Sequence, residues 1–308
     1  TGTFASKNVG ANQVVTSTST LSGAAAGNYT LTQPTGLTGT ITAKALSIGA
    51  PTIASKVYDG TTAAGAVTVG TLSGLVEPET LTVTGTAAAY SSAAVGTYSG
   101  VVVTYTLANG GSGNTAGLAS NYSLAAGAAT GTITGRSLTV TDVAVTSKAY
   151  DGTTSAAITG TLVGVLNSDA VTLVGTGTFA SKNVGANQVV TSTSTLSGLA
   201  AGNYTLTQPT GLTGTITAKA LSIGAPTIAS KMYDGTTAAG AVTVGALSGL
   251  VDPEILTVTG TAAAYTSAAV GTYDNVAVTY TLADSGSGNT AGLASNYSLA
   301  AGSASGTI

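Results

Sequence analysis

Apolar and hydroxyl side chains alternate along much of the chain, which is the two-residue period of a half-buried β-strand. Residues 81–86 read Leu-Thr-Val-Thr-Gly-Thr, and residues 103–107 read Val-Thr-Tyr-Thr-Leu. In both segments Leu, Val or Tyr falls on one face of the strand and Thr falls on the other. The pattern therefore predicts an all-β chain built from short strands.

About seven strands are predicted within residues 44–134. They cover residues 45–48, 52–58, 66–69, 81–90, 98–107, 122–124 and 131–134. Turn sequences separate them: Asp-Gly at 59, Glu-Pro-Glu at 77, Ser-Gly at 99 and Asn-Gly-Gly at 109. Seven short strands in one such segment predict tandem immunoglobulin-like β-sandwich modules arranged end to end. The rival fold is a β-solenoid, whose rungs are about 20–30 residues long.

The chain repeats itself at two periods, and the shorter one argues against the solenoid. Residues 1–133 and 176–308 match at an offset of 175 and differ at 13 of 133 positions. Within that period three strings recur: Lys-x-Tyr-Asp-Gly-Thr-Thr, Asn-Tyr-Thr/Ser-Leu and Gly-Thr-Ile-Thr. Their spacing predicts the C-terminal half of a module at 1–43, a module at 44–134, a shorter module at 135–218 and a module at 219–308.

The half module at residues 1–43 lacks the counterpart of residues 136–175, including the Lys-x-Tyr-Asp-Gly string. Alone, it would expose open sheet edges. We therefore expect either that the molecule continues upstream of Thr1 or that another chain covers the edge.

Composition narrows the classes of function. Only 6% of the residues are charged, the net charge is −3, and the chain has no Cys and no His. The common nucleophile–base pairs of enzymes and the usual ligands of zinc are therefore missing. No basic patch supports binding to nucleic acid, and no apolar run reaches the ~18 residues of a membrane helix. We expect a chain that is not an enzyme, binds no nucleic acid, and has no transmembrane segment.

The three recurring strings resemble the YDG and MBG families, which are bacterial immunoglobulin-like repeat modules of long surface and secreted proteins. The resemblance covers the three full modules, and the half module by its closing strings. It implies an extracellular protein at the bacterial cell surface: a rod-like stalk or filament segment of a large adhesin, with roles in cell adhesion and biofilm. The expected partners are neighbouring modules of the same or identical chains. The alternative is direct binding, in which module loops recognise surface glycans or matrix.

The residues of the Lys-x-Tyr-Asp-Gly strings are interpreted as a structural motif, since Asp-Gly suits a tight turn and Tyr a buried ring with a bonded hydroxyl. A ligand site is the alternative. The motif residues are Lys56, Tyr58, Asp59, Gly60, Lys148, Tyr150, Asp151, Gly152, Lys231, Tyr233, Asp234 and Gly235.

Four asparagines carry two further hypotheses. Asn28, Asn121, Asn203 and Asn296 each begin an Asn-Tyr-Ser/Thr glycosylation sequon. Three of them could instead form an isopeptide bond with a lysine of the same module: Lys56 with Asn121, Lys148 with Asn203 and Lys231 with Asn296.

Two other site types remain as alternatives. Calcium could bind largely through backbone carbonyls, although the chain has only 11 acidic residues. Frequent Thr-x-Thr sequences are typical of ice-binding faces, but their spacing is irregular. No cofactor is expected.

Overall fold

The computed structural model describes residues 1–166 and 169–308, and every regular element among them is a β-strand or a short 3₁₀ turn. The all-β prediction is confirmed. Val, Ile, Thr and Tyr supply most strand positions, because branched and aromatic side chains pack well on a pleated surface. The 3₁₀ turns are Ala26–Asn28, Gly113–Thr115, Ala119–Asn121, Ala201–Asn203, Gly288–Thr290 and Ala294–Asn296.

The strands follow the chain in four groups. Residues 1–43 contain β1 (Gly2–Phe4), β2 (Gly10–Ser17) and β3 (Thr38–Ile41). Residues 44–134 contain β4 (Lys44–Ile48), β5 (Thr52–Ile53), β6 (Lys56–Val57), β7 (Val67–Thr68), β8 (Leu72–Ser73), β9 (Leu81–Ala87), β10 (Gly96–Asn109), β11 (Tyr122–Leu124) and β12 (Gly127–Thr134).

The second half of the chain continues in the same way. Residues 135–218 contain β13 (Arg136–Val145), β14 (Lys148–Ala149), β15 (Ser155–Val163), β16 (Thr172–Val174), β17 (Thr176–Phe179), β18 (Gly185–Ser192), β19 (Thr195–Ser197), β20 (Tyr204–Leu206) and β21 (Leu212–Thr217). Residues 219–308 contain β22 (Lys219–Ile223), β23 (Thr227–Ile228), β24 (Val242–Thr243), β25 (Leu247–Ser248), β26 (Leu256–Ala262), β27 (Thr272–Asp284), β28 (Tyr297–Leu299) and β29 (Gly302–Thr307).

The described residues divide into two compact units. Unit 1 comprises Thr1–Arg136 together with Leu166 and Gly202–Thr205. Unit 2 comprises Ser137–Val165, Asp169–Ala201 and Leu206–Ile308.

In unit 1, residues 44–134 form a sheet of order β6-β12-β10-β9, a sheet of order β11-β4-β8 and the pair β5-β7. Strand β12 runs parallel to β6, so that Ile133 lies opposite Lys56. This pairing places the closing Gly-Thr-Ile-Thr string beside the start of the Lys-x-Tyr-Asp-Gly string. Residues 1–43 form their own sheet of order β1-β2-β3.

Unit 2 contains a parallel pair of the same kind. Its largest sheet includes the order β14-β21-β18-β17-β15-β13, and β21 runs parallel to β14 with Ile216 opposite Lys148. Residues 219–308 form sheets of order β25-β22-β28 and β26-β27-β29 and the pair β23-β24, while β16 pairs with β19.

The predicted strands of residues 44–134 are found with shifted ends, and one predicted turn is wrong. Ser99-Gly100 lies inside β10, where the register shifts between Tyr98 and Val101. Gly100 has a φ of 68°, which suits a β-bulge better than a chain reversal. The sequence pattern also missed β8, whose two residues are too few to show a period.

Packing in the core explains the glycine and the isoleucine of the Gly-Thr-Ile-Thr string. Ile133 and Ile216 are each 1% exposed. A Cβ on Gly131 would overlap the ring of Tyr90, and a Cβ on Gly214 would lie 2.8 Å from the ring of Phe179. The glycine therefore leaves room for an aromatic ring, and the isoleucine fills the core two residues later.

The half module at residues 1–43 is more open than its near-identical copy at 176–218. Phe4 is 38% exposed, whereas Phe179 is 1% exposed. The difference arises because β15 pairs with β17 beside Phe179, and residues 1–43 have no counterpart of β15. That residues upstream of Thr1 or another chain cover this edge stays a prediction.

Candidate functional site

Each Lys-x-Tyr-Asp-Gly string closes a turn through one aspartate. Lys56 Nζ lies 2.8 Å from Asp59 Oδ1 and donates to the carbonyl of Thr61 at 2.9 Å. Asp59 Oδ1 also accepts from the backbone N–H of Thr61 at 2.9 Å, which is the local bond that an aspartate makes in a turn. The copies are Lys148 with Asp151 at 2.8 Å and Lys231 with Asp234 at 2.9 Å.

These bonds favour the ionised carboxylate. The Lys56 ammonium and the Thr61 N–H lower the pKa of Asp59 to about 2, and Lys231 and Thr236 do the same for Asp234. At Asp151 burial acts in the opposite direction, but the bonds from Lys148 and Thr153 outweigh it and the pKa is lowered.

The glycine that follows the aspartate has φ near 77° at Gly60 and Gly152 and 74° at Gly235. This left-handed conformation favours glycine. At Gly152 a Cβ would also lie 2.8 Å from Cγ1 of Val251 in the next module. The turn therefore faces a module boundary.

The tyrosine of the string contacts the following module. The Tyr150 ring meets that of Tyr297 edge-on at 5.4 Å, and Tyr150 is 2% exposed. Inside unit 1 the Tyr58 ring meets that of Tyr204 at 5.3 Å. Tyr233 belongs to the last module of the chain and is 65% exposed. Burial of this tyrosine therefore accompanies the presence of the next module.

A buried glutamate lies at the centre of the boundary between residues 135–218 and 219–308. Glu254 Oε1 accepts from the Tyr150 hydroxyl at 2.5 Å and from Lys182 Nζ at 3.0 Å. Its Oε2 accepts from the Tyr297 hydroxyl at 2.7 Å. The Glu254 side chain is 5% exposed, so these bonds replace the water that its charge would otherwise need.

An asparagine completes this boundary. Asn296 Oδ1 accepts from the backbone N–H of Val184 at 2.9 Å, and Asn296 Nδ2 donates to Asn183 Oδ1 at 3.0 Å. The Tyr297 hydroxyl accepts from the Val251 N–H at 3.1 Å. We call these residues the unit 2 junction cluster: Tyr150, Lys182, Asn183, Val184, Val251, Glu254, Asn296 and Tyr297.

Unit 1 contains the same cluster between the half module and residues 44–134. Lys7 Nζ lies 3.0 Å from Glu79 Oε1, and the Tyr122 hydroxyl donates to Glu79 Oε2 at 2.7 Å. Asn121 accepts from the Val9 N–H at 2.9 Å and donates to Asn8 at 3.0 Å. These residues form the unit 1 junction cluster.

The two clusters differ in one respect. Residues 1–43 have no counterpart of Tyr150, and the unit 1 cluster instead borders a cavity of about 270 Å³. Lys7, Val9, Glu79 and Tyr122 line it. In unit 2 the Tyr150 ring lies at the position that corresponds to this cavity, against Glu254 and Tyr297.

The electrostatics of the unit 2 cluster favour a charged glutamate and neutral tyrosines. Burial alone would raise the pKa of Glu254, but the hydroxyls of Tyr150 and Tyr297 and the Lys182 ammonium together hold it below its ordinary value. Burial raises the pKa of Tyr297 to about 12, and the adjacent carboxylate acts in the same direction. The bond to Glu254 raises the pKa of Lys182. The cluster is thus an ion pair with two neutral donors.

The structure gives the sequon asparagines and the motif lysines separate partners. Lys56 bonds within its own turn, whereas Asn121 bonds to residues 8 and 9. Lys231 likewise bonds to Asp234, and Asn296 to residues 183 and 184. Neither pair is brought together, so the isopeptide hypothesis gains no geometric support.

Exposure separates the four sequons. Asn28 is exposed, Asn203 accepts from the Val95 N–H at 2.9 Å, and Asn296 is 1% exposed. A glycan on Asn296 would require the unit 2 junction to open. Glycosylation stays a prediction.

Sequence reasoning singled out Tyr150, Asn121 and Asn296 but missed the residues of the preceding segment and the glutamates that complete the clusters. Lys182, Asn183 and Glu254 were not proposed as site residues, and neither were Lys7, Asn8 and Glu79. A signal was present: the chain has eight basic and 11 acidic residues, and Lys7 and Glu79 recur 175 positions later as Lys182 and Glu254.

Within residues 1–166 and 169–308 no three His, Cys, Asp or Glu side chains are grouped so that they could hold a metal ion. Among the same residues no helix is long and apolar enough to cross a membrane.

Comparisons with known proteins give one match. A search of curated proteins and a search of solved structures each found no similar protein. The family model described as the YDG domain matches residues 1–36, 42–130, 134–211 and 217–305. Since these four matches span nearly all of the chain, the protein belongs to the YDG domain family.

Proposed function

We propose that this chain is a structural repeat segment, a rod-like stalk or filament, of a large bacterial cell-surface or secreted adhesin-like protein. Its modules would be immunoglobulin-like β-sandwiches joined end to end, and it would not be an enzyme. The observation that carries the proposal is the use of the repeated strings themselves to join successive modules. Inside unit 2, Tyr150 of the Lys-x-Tyr-Asp-Gly string packs against Tyr297 of the following module's Asn-Tyr string. Asn296 of the same Asn-Tyr string bonds to the Val184 N–H of the preceding module.

Polar contacts of this kind suit a structural segment. A junction that buries a carboxylate with three donors holds one geometry, because each donor must be in place to offset the cost of burying the charge. Repeating that geometry builds an extended array in which each module contacts its neighbours only.

Small-angle scattering of the whole chain tests this proposal. We expect a maximum dimension well above that of a sphere of the same mass, and a cross-section matching one module. A compact particle would contradict the stalk or filament.

Direct binding of glycans or matrix through module loops is the second candidate. A glycan array probed with the whole chain distinguishes the two candidates. Saturable, specific binding would support the binding module, and its absence would leave the structural segment as the better proposal.

A further inference from the structure

The residues of 44–134 that correspond to Lys182 and Asn183 carry no charge. The short module presents Lys182-Asn183-Val184, and the half module presents Lys7-Asn8-Val9. The modules at 44–134 and 219–308 are the two long modules, and the first of them has Ala93-Ala94-Val95 at the corresponding place. The backbone contact is kept, since the Val95 N–H donates to Asn203 Oδ1 at 2.9 Å inside unit 1.

The acidic residue of the following module also differs. Glu79 and Glu254 occur in the two long modules, whereas the short module has Asp169 at the equivalent position. Two contacts are common to both kinds of neighbour. A tyrosine pair and a valine N–H bonded to an asparagine occur where the short module contacts a long module before it and where it contacts a long module after it. Among the described residues, the Lys-Asn pair meets a Glu in two places: where residues 44–134 follow the half module and where residues 219–308 follow the short module.

We propose that Lys182-Asn183 and Glu254, with their copies Lys7-Asn8 and Glu79, are specificity residues that select a long module as the one docked after a short module. The proposal rests on the structural function above and deepens it by naming the partner of each face.

The physical reason is the cost of a mismatch. If a long module followed a long module, Ala93 and Ala94 would face Glu254 and Asn296. The Glu254 side chain, now 5% exposed, would lose its cation, and the Asn296 amide, in a residue now 1% exposed, would lose the acceptor that Asn183 supplies. Unpaired buried charge and unpaired buried amides both oppose docking.

The chain offers a direct test. Deleting residues 135–217 joins Thr134 to Ala218, so that one long module is followed directly by another, across the linker sequence that also precedes Lys44. Adding Ala93→Lys and Ala94→Asn to this deletion restores the matched face. The chain has three glutamates, so NMR of selectively labelled glutamate carboxyls follows Glu254 with little overlap.

We expect the pKa of Glu254 to rise in the deletion chain and to fall back when Ala93→Lys and Ala94→Asn are added. The closed population of the long–long junction should increase by about tenfold on that addition, the size of effect expected from one half-exposed ion pair with a buried amide bond. Equal pKa values of Glu254 in the two deletion chains would overturn the proposal.

A second comparison uses the whole chain and does not depend on the deletion. Lys182→Ala with Asn183→Ala should raise the pKa of Glu254 and leave that of Glu79 unchanged, while Lys7→Ala with Asn8→Ala should do the reverse. If neither pair of substitutions raises the pKa of the glutamate that it contacts, these residues do not select the following module. Scattering by the unaltered chain tests the structural function separately, because an elongated chain with unselective junctions would fail only the present proposal.

Discussion

At the scale of single residues, Glu254 shows how a chain with few charges uses one of them. A carboxylate that is almost fully covered would be costly without partners. Here two tyrosine hydroxyls and one ammonium bond to it. Lys182 remains 47% exposed, so the cation keeps part of its hydration while the anion is enclosed.

Replacing Glu254 by Gln should destabilise unit 2 by about 1–3 kcal/mol, because the ion pair and the charge-assisted bonds are lost while the shape is kept. Urea unfolding measures the change. Glu77→Gln is the matched control: this glutamate is exposed, and its substitution should change stability by less than about 0.5 kcal/mol. Equal effects of the two substitutions would contradict the role given to Glu254.

At the scale of the element, the Lys-x-Tyr-Asp-Gly string is a strand end followed by a turn that closes on itself. Lys56-Val57 forms β6 beside β12, and Asp59 then bonds back to Lys56 and forward to Thr61. The turn directs Tyr58 away from its own strand pair and toward Tyr204. The hydrogen-bonded turn thereby positions the Tyr58 side chain to contact Tyr204 of the next module.

Lys56→Ala should raise the pKa of Asp59 from about 2 toward its ordinary value of 3.8. The bonds favour the ionised form, so their contribution is complete above that ordinary value and is lost as the pH falls toward 2. Carboxyl NMR titration measures the midpoint. Asp234 should keep its low pKa in the same variant, and a shift of both aspartates would argue against a local cause.

Gly131→Ala should destabilise unit 1 by about 1–3 kcal/mol, because a Cβ there overlaps the Tyr90 ring within a packed core. Thermal or urea unfolding measures the loss. Gly27→Ala is the control, since nothing lies within 4 Å of the added carbon. A Gly131→Ala variant as stable as the parent would show that Tyr90 can move aside freely.

At the scale of the whole molecule, each unit contains the same polar cluster between successive modules. Because the bonds lower the pKa of Glu254 below its ordinary 4.5, the stabilisation by this charge is complete above that value. It is lost as the pH falls through the lower pKa of the folded state. We therefore expect the two junction clusters to be the most acid-sensitive parts of their units.

Acidification below about pH 4 should loosen the unit 2 junction before the β-sheets unfold. Hydrogen exchange at Val184 and Val251, whose N–H groups bond across or beside the junction, would report the opening. In Glu254→Gln the same amides should show little dependence on pH in this range. Protection that is identical at pH 3 and pH 6 in the parent would refute the acid sensitivity.

Local pattern was enough to identify strands, repeats and family, because alternation and tight turns depend on neighbours along the chain. The string that contains Tyr150 is interpreted as a structural motif, and the structure shows its tyrosine packed against Tyr297 of the following module. The strands fared worst where tertiary contacts set their ends: the predicted strand at 52–58 is two strands, and Ser99-Gly100 is a bulge.

The order of residue types is enough to predict the all-β class, the 175-residue period and membership of the YDG family. The contact between Lys182, Glu254 and Tyr297 became visible in the folded chain alone. They are separated by tens of residues in two modules, and no local period records which surfaces face each other. The structure also places Asn296 and Tyr297 at a contact between two modules, which the sequence does not record because burial of a side chain depends on what packs against it.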